Sequence, residues 1–201
     1  MSSIPVGRFA WLLVGTIAVL GISCSQRMPV APSTSVSTGV SADASQAAGA
    51  PAGHGHEAFG FNAPLISGFP GGRAVELTGG GAYDLPDFVH SGGGFRCLAD
   101  ISAGPFAGCL TGQGVRWDTA ELRASTTFKC TGAAAEALKT AHTGDSTVVL
   151  LADFYRQGDG IDESFTAQMI VSATDLAPDV AGVQNVWVQG VGCGPATVNF
   201  N

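Results

Sequence analysis

Alternating apolar and polar side chains run through much of the chain after residue 58 and predict β-strands. The clearest case is a hairpin between Thr147 and Ser172. Its outgoing strand, 148–155, is apolar at nearly every position, which is typical of a strand covered on both faces. In its return strand, 164–172, Phe165, Ala167, Met169 and Val171 alternate with Ser164, Thr166, Gln168 and Ser172, which is typical of a half-buried strand. Glycines and carboxylates between the two mark the connecting loop.

Shorter stretches of the same kind predict the rest of the fold. Glycine-rich segments separate them, and we interpret Gly79–Gly81 and Gly92–Gly94 as turns and bulges. Eight or nine short strands of this type predict an all-β fold, either an antiparallel β-sandwich or a barrel-like sheet. An alanine-rich stretch, 132–141, with Thr131 as a candidate cap, predicts one short helix. The further strands are expected at 74–78, 88–91, 95–101, 115–118, 122–130, 186–193 and 196–200.

The N-terminus has the pattern of an export signal. Arg8 precedes an apolar run, Phe9–Ile22, whose fourteen residues are too few for a comfortable membrane span. The run leads into Leu20-Gly21-Ile22-Ser23-Cys24-Ser25, which resembles the lipobox of bacterial lipoprotein precursors. Gly21 stands where that family usually has leucine. The resemblance implies that Cys24 becomes the acylated N-terminus and anchors the chain to a membrane, with plain secretion or an uncleaved signal anchor as the alternatives.

Composition divides the chain into three parts. Residues 1–24 form the signal, 25–58 a linker and 59–201 the β-domain. The linker is rich in Ser, Thr, Ala, Pro and Gly and has almost no large apolar residue, so we expect a disordered tether. His54 and His56 near its end could hold a transition metal loosely. A polar linker end is the preferred interpretation, because no third fixed ligand is visible.

Charge limits the partners. The chain carries a net charge of −7. Counting from Phe59 to Asn201 gives seven basic and fourteen acidic residues, so the domain alone also carries −7. No basic patch is present to neutralise phosphates, and we therefore expect no nucleic-acid partner.

Cysteine parity supports export. The chain has five cysteines, and if Cys24 takes a lipid, the four that remain can form two disulfides in an oxidising compartment. The closeness of Cys97 and Cys109 favours their pairing, together with Cys130–Cys193, although all three connectivities stay open. We expect an extracytoplasmic location in the bacterial cell envelope, lipid-anchored or secreted.

Two clusters of carboxylates are candidates for chemistry. Asp159, Asp162 and Glu163 could supply oxygens to calcium, but their spacing does not match an EF-hand loop, and a solvated turn is the preferred interpretation. In the second cluster, Asp84 and Asp87 with His90 could form a general base, whereas a proline-containing turn with a surface histidine is preferred.

The tryptophans offer a further alternative. Trp117 and Trp187 could form an aromatic platform for a sugar, although tryptophan in a strand is more often part of the core. The sequence thus predicts an exported envelope β-domain that acts as a non-enzymatic binding or structural module, with an unknown protein or carbohydrate ligand and no cofactor other than calcium. The alternatives are a secreted hydrolase that uses a His/carboxylate cluster and a calcium-dependent carbohydrate-binding adhesion module.

Overall fold

The computed structural model describes residues 56–157 and 164–201, and all regular structure in these ranges is β-strand. The all-β prediction is confirmed. The described ranges contain eleven strands in place of the expected eight or nine. In chain order they are β1 (Glu57–Ser67), β2 (Ala74–Asp84), β3 (Phe88–Cys97), β4 (Arg116–Arg123), β5 (Ser125–Phe128), β6 (Lys139–His142), β7 (Thr147–Tyr155), β8 (Phe165–Ser172), β9 (Val186–Val188), β10 (Gly192–Gly194) and β11 (Thr197–Phe200).

Nine of the strands form one antiparallel sheet that curls into a half-barrel. Their order is β10-β9-β8-β7-β4-β3-β2-β1-β11, and β5 and β6 form a separate pair. The two edge strands, β10 and β11, are separated in sequence only by Pro195 and Ala196. This link spans about 11 Å when fully extended, whereas a flat sheet of nine strands would hold its edges about 38 Å apart. The sheet must therefore curl to bring its edges together.

The hairpin predicted between Thr147 and Ser172 is confirmed. β7 and β8 pair from Thr147 opposite Ser172 to Phe154 opposite Phe165. Val148 and Leu150 belong to the main core on the concave side, while Val149 belongs to a second apolar cluster on the convex side, and all three are fully buried. The first part of β7 is thus covered on both faces, as its apolar run predicts, whereas Leu151, Asp153 and Tyr155 further along the convex side are only half-buried.

The two-stranded sheet covers part of the convex face. It contributes Phe128 and Ala141, which cluster with Val149, Ile170 and Trp187 from β7, β8 and β9. Two layers are therefore stacked at this end of the half-barrel, in the manner of a sandwich, and a single curled sheet encloses the rest of the core.

The prediction of a short helix over 132–141 is wrong. Its last residues lie in β6, which pairs with β5, and the residues before them form a turn. The carboxylate of Glu136 accepts hydrogen bonds from the backbone N–H groups of Cys130 (2.6 Å) and Thr131 (2.8 Å), which folds the segment back on itself. Alanine favours a helix by less than about 1 kcal/mol per residue, and an isolated helix of this length is marginal. The pairing of β5 with β6 and the hydrogen bonds to the Glu136 carboxylate therefore outweigh the helix propensity of the alanines.

The interpretation of the glycine runs as turns is also wrong. Gly79–Gly81 and Gly92–Gly94 lie within β2 and β3 and face each other, with Gly80 opposite Gly92. The expected strands 88–91 and 95–101 are accordingly one strand, β3. The expected strand 122–130 is instead divided at Ala124 into β4 of the large sheet and β5 of the small one.

An aromatic ring occupies the space that a side chain at Gly79 would take, because a Cβ atom there would lie 2.6 Å from Cζ2 of Trp117. Four residues form one row across the strands β1 to β4. In this row Gly79 of β2 and Gly93 of β3 lie between Phe61 of β1 and Trp117 of β4. Although three strand spacings separate their backbones by about 14 Å, the two rings approach to 6.0 Å between centroids. The Trp117 indole also donates a hydrogen bond to the carbonyl of Thr78 (2.9 Å). The glycines thus let the sheet bend around this aromatic pair.

We expect the Gly93→Ala substitution to destabilise the fold by about 3 kcal/mol, because a buried clash of this kind forces the backbone to move. A Cβ atom at Gly93 would lie 1.9 Å from the carbonyl oxygen of Thr78. The matched control is Gly144→Ala, since a Cβ atom there has no heavy atom within 4 Å. Urea unfolding of the full-length variants measures both effects. Equal midpoints for the two variants would contradict the clash.

Candidate functional site

Several candidate residues lie outside the described ranges. They include Cys24, His54 and the acidic loop residues Asp159, Asp162 and Glu163. Lipidation and calcium binding therefore stay predictions. The strands on either side of the acidic loop are paired up to their last residues before it. There, Ser164 donates its backbone N–H to the carbonyl of Phe154 (2.9 Å).

The structure does not bring His90 into hydrogen-bonding contact with Asp84 or Asp87 within the described part of the chain. Asp84 ends β2 opposite Phe88, whereas His90 lies opposite Ala82. Asp84 instead lies near another histidine, with 3.9 Å between its Oδ2 and Nδ1 of His56. The ring of His56 is 4.3 Å from that of Phe88. Across the described ranges, no group of three or more His, Cys, Asp or Glu residues is close enough to hold a metal ion.

Trp117 and Trp187 both belong to the core, as the preferred interpretation predicts. Trp117 is fully buried and Trp187 is 4% exposed. Each indole N–H donates to a backbone carbonyl, that of Thr78 for Trp117 and that of Lys129 for Trp187, both at 2.9 Å. The alternative prediction, that these two residues form an exposed aromatic platform for a sugar, is therefore wrong.

The four domain cysteines form two disulfides. Cys97 pairs with Cys109 and Cys130 pairs with Cys193, with Cα–Cα distances of 6.3 Å and 4.7 Å. This is the connectivity that the sequence spacing favours. Such bridges are typical of oxidising, extracytoplasmic compartments. Over the same described ranges, no helix is long and apolar enough to cross a bilayer.

A groove of about 350 Å³ lies where β2 and β3 approach the start of β4. Its charged lining residues, Glu76 and Arg96, alternate with the buried residues Val75, Leu77 and Phe95, so the groove opens on the convex face of the sheet. Strand register places Glu76 directly opposite Arg96, and Thr78 directly opposite Gly94. The full lining is Glu76, Thr78, Gly94, Phe95, Arg96, Gly114 and Val115.

The two charged side chains of the groove are not bound to each other. Residues directly opposite on one face of an antiparallel pair have Cβ atoms about 5 Å apart, which is close enough for an ion pair. Within the described residues, however, neither Glu76 nor Arg96 takes part in an ion pair or a side-chain hydrogen bond. Their carboxylate and guanidinium groups are therefore available to a ligand.

The floor and the far wall of the groove come from the backbone and one apolar side chain. Gly94 exposes the floor, and a Cβ atom there would lie 3.3 Å from Oγ1 of Thr78. Gly114 passes close to β3, since its Cβ position is 2.6 Å from the carbonyl oxygen of Phe95. The next residue, Val115, is 54% exposed and forms the apolar wall, held by a 3.1 Å bond from its N–H to the carbonyl of Tyr155.

Arg116 extends the polar rim of the groove along the sheet. It lies opposite Gly94 in β3 and opposite Tyr155 in β7. Its guanidinium carbon lies 4.2 Å from the centre of the Tyr155 ring, and Nη1 is 3.0 Å from Oδ2 of Asp118. Arg116 is thus held in place by its neighbours, while Arg96 is free to reach a ligand.

Sequence reasoning missed this groove for an identifiable reason. Once Gly79–Gly81 and Gly92–Gly94 are interpreted as turns, Glu76 and Arg96 belong to unrelated short strands. Had the two runs been aligned as neighbouring strands, the register would have placed Glu76 opposite Arg96.

Comparison with family models, with curated proteins and with solved structures found no match for the chain.

A second polar cluster stabilises the fold beside the Cys130–Cys193 disulfide. The Glu136 carboxylate is 5% exposed and bonds to Lys139 Nζ (3.1 Å), which also reaches Asp179 (3.0 Å). Burial alone raises the pKa of Glu136, but hydrogen bonds from the Thr131 hydroxyl, from the backbone N–H groups of Cys130 and Thr131 and from Lys139 outweigh it and lower the pKa to about 2. The cluster therefore holds Glu136 ionised.

We expect the Glu136→Gln substitution to destabilise the fold by about 3 kcal/mol at pH 7, because Lys139 loses its buried partner. Because folding lowers the pKa of Glu136 from 4.5 to about 2, its contribution is present above pH 4.5 and is lost as the pH falls towards 2. Urea unfolding should show the difference between wild type and variant at pH 7, and a much smaller difference at pH 2.5. A constant difference over this range would contradict the assignment.

Proposed function

We propose that the chain is an exported, lipid-anchored module of the bacterial cell envelope that binds a neutral carbohydrate in the groove lined by Glu76 and Arg96. The observation that carries the proposal is the pair of opposite, unbonded charges that stand side by side on neighbouring strands, next to the open floor at Gly94. The lipobox-like segment ending at Cys24 and the two disulfides support the location.

The lining of the groove has the chemistry that a sugar requires. A carboxylate accepts hydrogen bonds, a guanidinium donates them in a fixed fork, and the Thr78 hydroxyl does both. Adjacent sugar hydroxyls can donate to Glu76 and accept from Arg96 at once. Because the two charges cancel, the groove favours a ligand without net charge. Val115 offers an apolar surface for the C–H face of the ring.

The size of the groove limits the length of the ligand. Its volume of about 350 Å³ lies at the lower end of small-molecule sites, which span roughly 300–1,000 Å³. One or two sugar units fit such a space. The groove is open along the sheet on the side of Arg116, so a longer chain can continue past it.

We expect the full-length protein to bind neutral oligosaccharides on an array that also carries acidic and basic ones. Glu76→Gln and Arg96→Gln should each weaken binding at least tenfold, since each leaves a sugar hydroxyl without its charged partner. The matched control is Glu121→Gln, because Glu121 is an exposed carboxylate that pairs with Arg123 on β4, away from the groove. Exclusive binding of charged glycans, or equal affinities for all three variants, would contradict the proposal.

The predicted anchor has a separate test. We expect the intact mass of the mature protein, extracted from bacterial membranes, to correspond to a chain that begins at Cys24 with acyl groups attached and with the four domain cysteines oxidised. Recovery of a chain that still contains residues 1–23, or of a soluble chain without acyl mass, would contradict lipid anchoring. Either result would leave the groove to be judged by the binding experiment.

A further inference from the structure

The two edges of the curled sheet differ in whether their backbone groups are used. At the β10 edge, the Cys193 N–H donates to the carbonyl of Cys130 (3.2 Å), which lies outside the nine-stranded sheet. A Cβ atom at Gly194 would lie 2.2 Å from the carbonyl oxygen of Leu65, so β1 packs directly against this edge. The β10 edge is therefore blocked.

The β11 edge is open. Ala58 of β1 and Asn201 exchange both backbone hydrogen bonds, at 3.1 Å and 2.9 Å. In an antiparallel pair the bonded positions alternate, so the backbone groups of Thr197 and Asn199 also point to β1, while those of Val198 and Phe200 point away from it. Within the described ranges, no backbone group bonds to Val198 or Phe200 on that side.

Apart from its short length of four residues, the open edge has no feature that would oppose pairing with another strand. Proteins commonly protect an exposed edge with lysine, proline, a bulge or an inward-pointing charge. The sequence Thr197–Phe200 contains no charged residue and no proline, and it pairs with β1 without a register shift. Although the chain carries a net charge of −7, two copies can approach along this strand without bringing charged β11 side chains together.

We propose that two copies of the chain pair through their β11 strands, antiparallel and related by a two-fold axis at Asn199. In this register, Val198 of one copy lies opposite Phe200 of the other, and both residues present free N–H and C=O groups. Four backbone hydrogen bonds form across the axis, and the two half-barrel sheets become continuous. A strand that pairs with itself in this way satisfies the symmetry of a dimer with identical interfaces.

The expected dimer is weak in dilute solution and favoured on a membrane. A four-residue strand buries far less than the roughly 1,200–2,000 Å² of a stable interface. Copies confined to one surface meet at a high local concentration, which increases pairing without new contacts. The pairing itself rests on the strand edge and is independent of the carbohydrate proposed for the groove, whereas its enhancement on a membrane rests on the proposed lipid anchor.

Disulfide trapping tests the register directly. At the two-fold axis the Asn199 residues form a non-hydrogen-bonded pair with Cα atoms about 4.5 Å apart, a distance that a disulfide can bridge. We expect the full-length Asn199→Cys variant to form a covalent dimer on oxidation with copper phenanthroline, as seen on a non-reducing gel. The matched control is Thr197→Cys, since residue 197 is also exposed on β11 but lies about 13 Å from its copy in this register.

A second substitution shows whether backbone pairing produces the dimer. Adding Val198→Pro to Asn199→Cys removes an outward N–H and leaves the bonds to β1 intact, so trapping should slow at least tenfold with unchanged thermal unfolding. Equal trapping rates for Asn199→Cys and Thr197→Cys would overturn the proposal. Undiminished trapping in a folded Val198→Pro double variant would also overturn it.

Discussion

The packing of Trp117 against Phe61 across two glycines is the contact on which the curl of the large sheet depends. Side chains at Gly79 and Gly93 would collide with the Trp117 ring and the Thr78 carbonyl oxygen, respectively. Without those side chains, rings from β1 and β4 meet at 6.0 Å, and the strands between them must bend. Curling of this kind is what allows the short Pro195–Ala196 link to join the two edges of a nine-stranded sheet.

The same bend explains why the candidate site lies on the convex face. The rings fill the concave side, so that side is core and cannot receive a ligand. On the opposite face, Gly94 leaves a depression beside Glu76 and Arg96. The run Gly92–Gly94 therefore serves both faces of the sheet, with Gly93 next to the aromatic pair on the concave side and Gly94 at the floor of the groove on the convex side.

The sequence predicts the parts of this fold that follow from local alternation. The β7–β8 hairpin is predicted correctly because its apolar side chains are those that face the buried sides of the sheet. The cysteine pairing is also anticipated, since Cys97 and Cys109 are close along the chain. The glycine runs are misread because glycine has no side chain and so carries no alternation signal, which makes a bend inside a strand look like a turn between strands.

The alanine-rich segment and the groove show two other limits of sequence reasoning. Alanine indicates a helix only weakly, and nothing local reveals that Glu136 will be bound by the backbone of Cys130 and Thr131. The groove depends on register between β2 and β3, which is a non-local property. Glu76 and Arg96 are ordinary surface charges in the sequence, and they become a candidate site only when the strands are aligned.

Amide hydrogen exchange of the glycines shows whether the two glycine runs lie inside paired strands or in turns. β2 and β3 are interior strands of the sheet, so we expect the amides of Gly79–Gly81 and Gly92–Gly94 to be protected to a degree comparable with those of β7. Gly71 and Gly72, which lie in a turn, serve as the unprotected reference. Exchange of the two glycine runs as fast as that of Gly71 and Gly72 would contradict the bent sheet and the groove built on it.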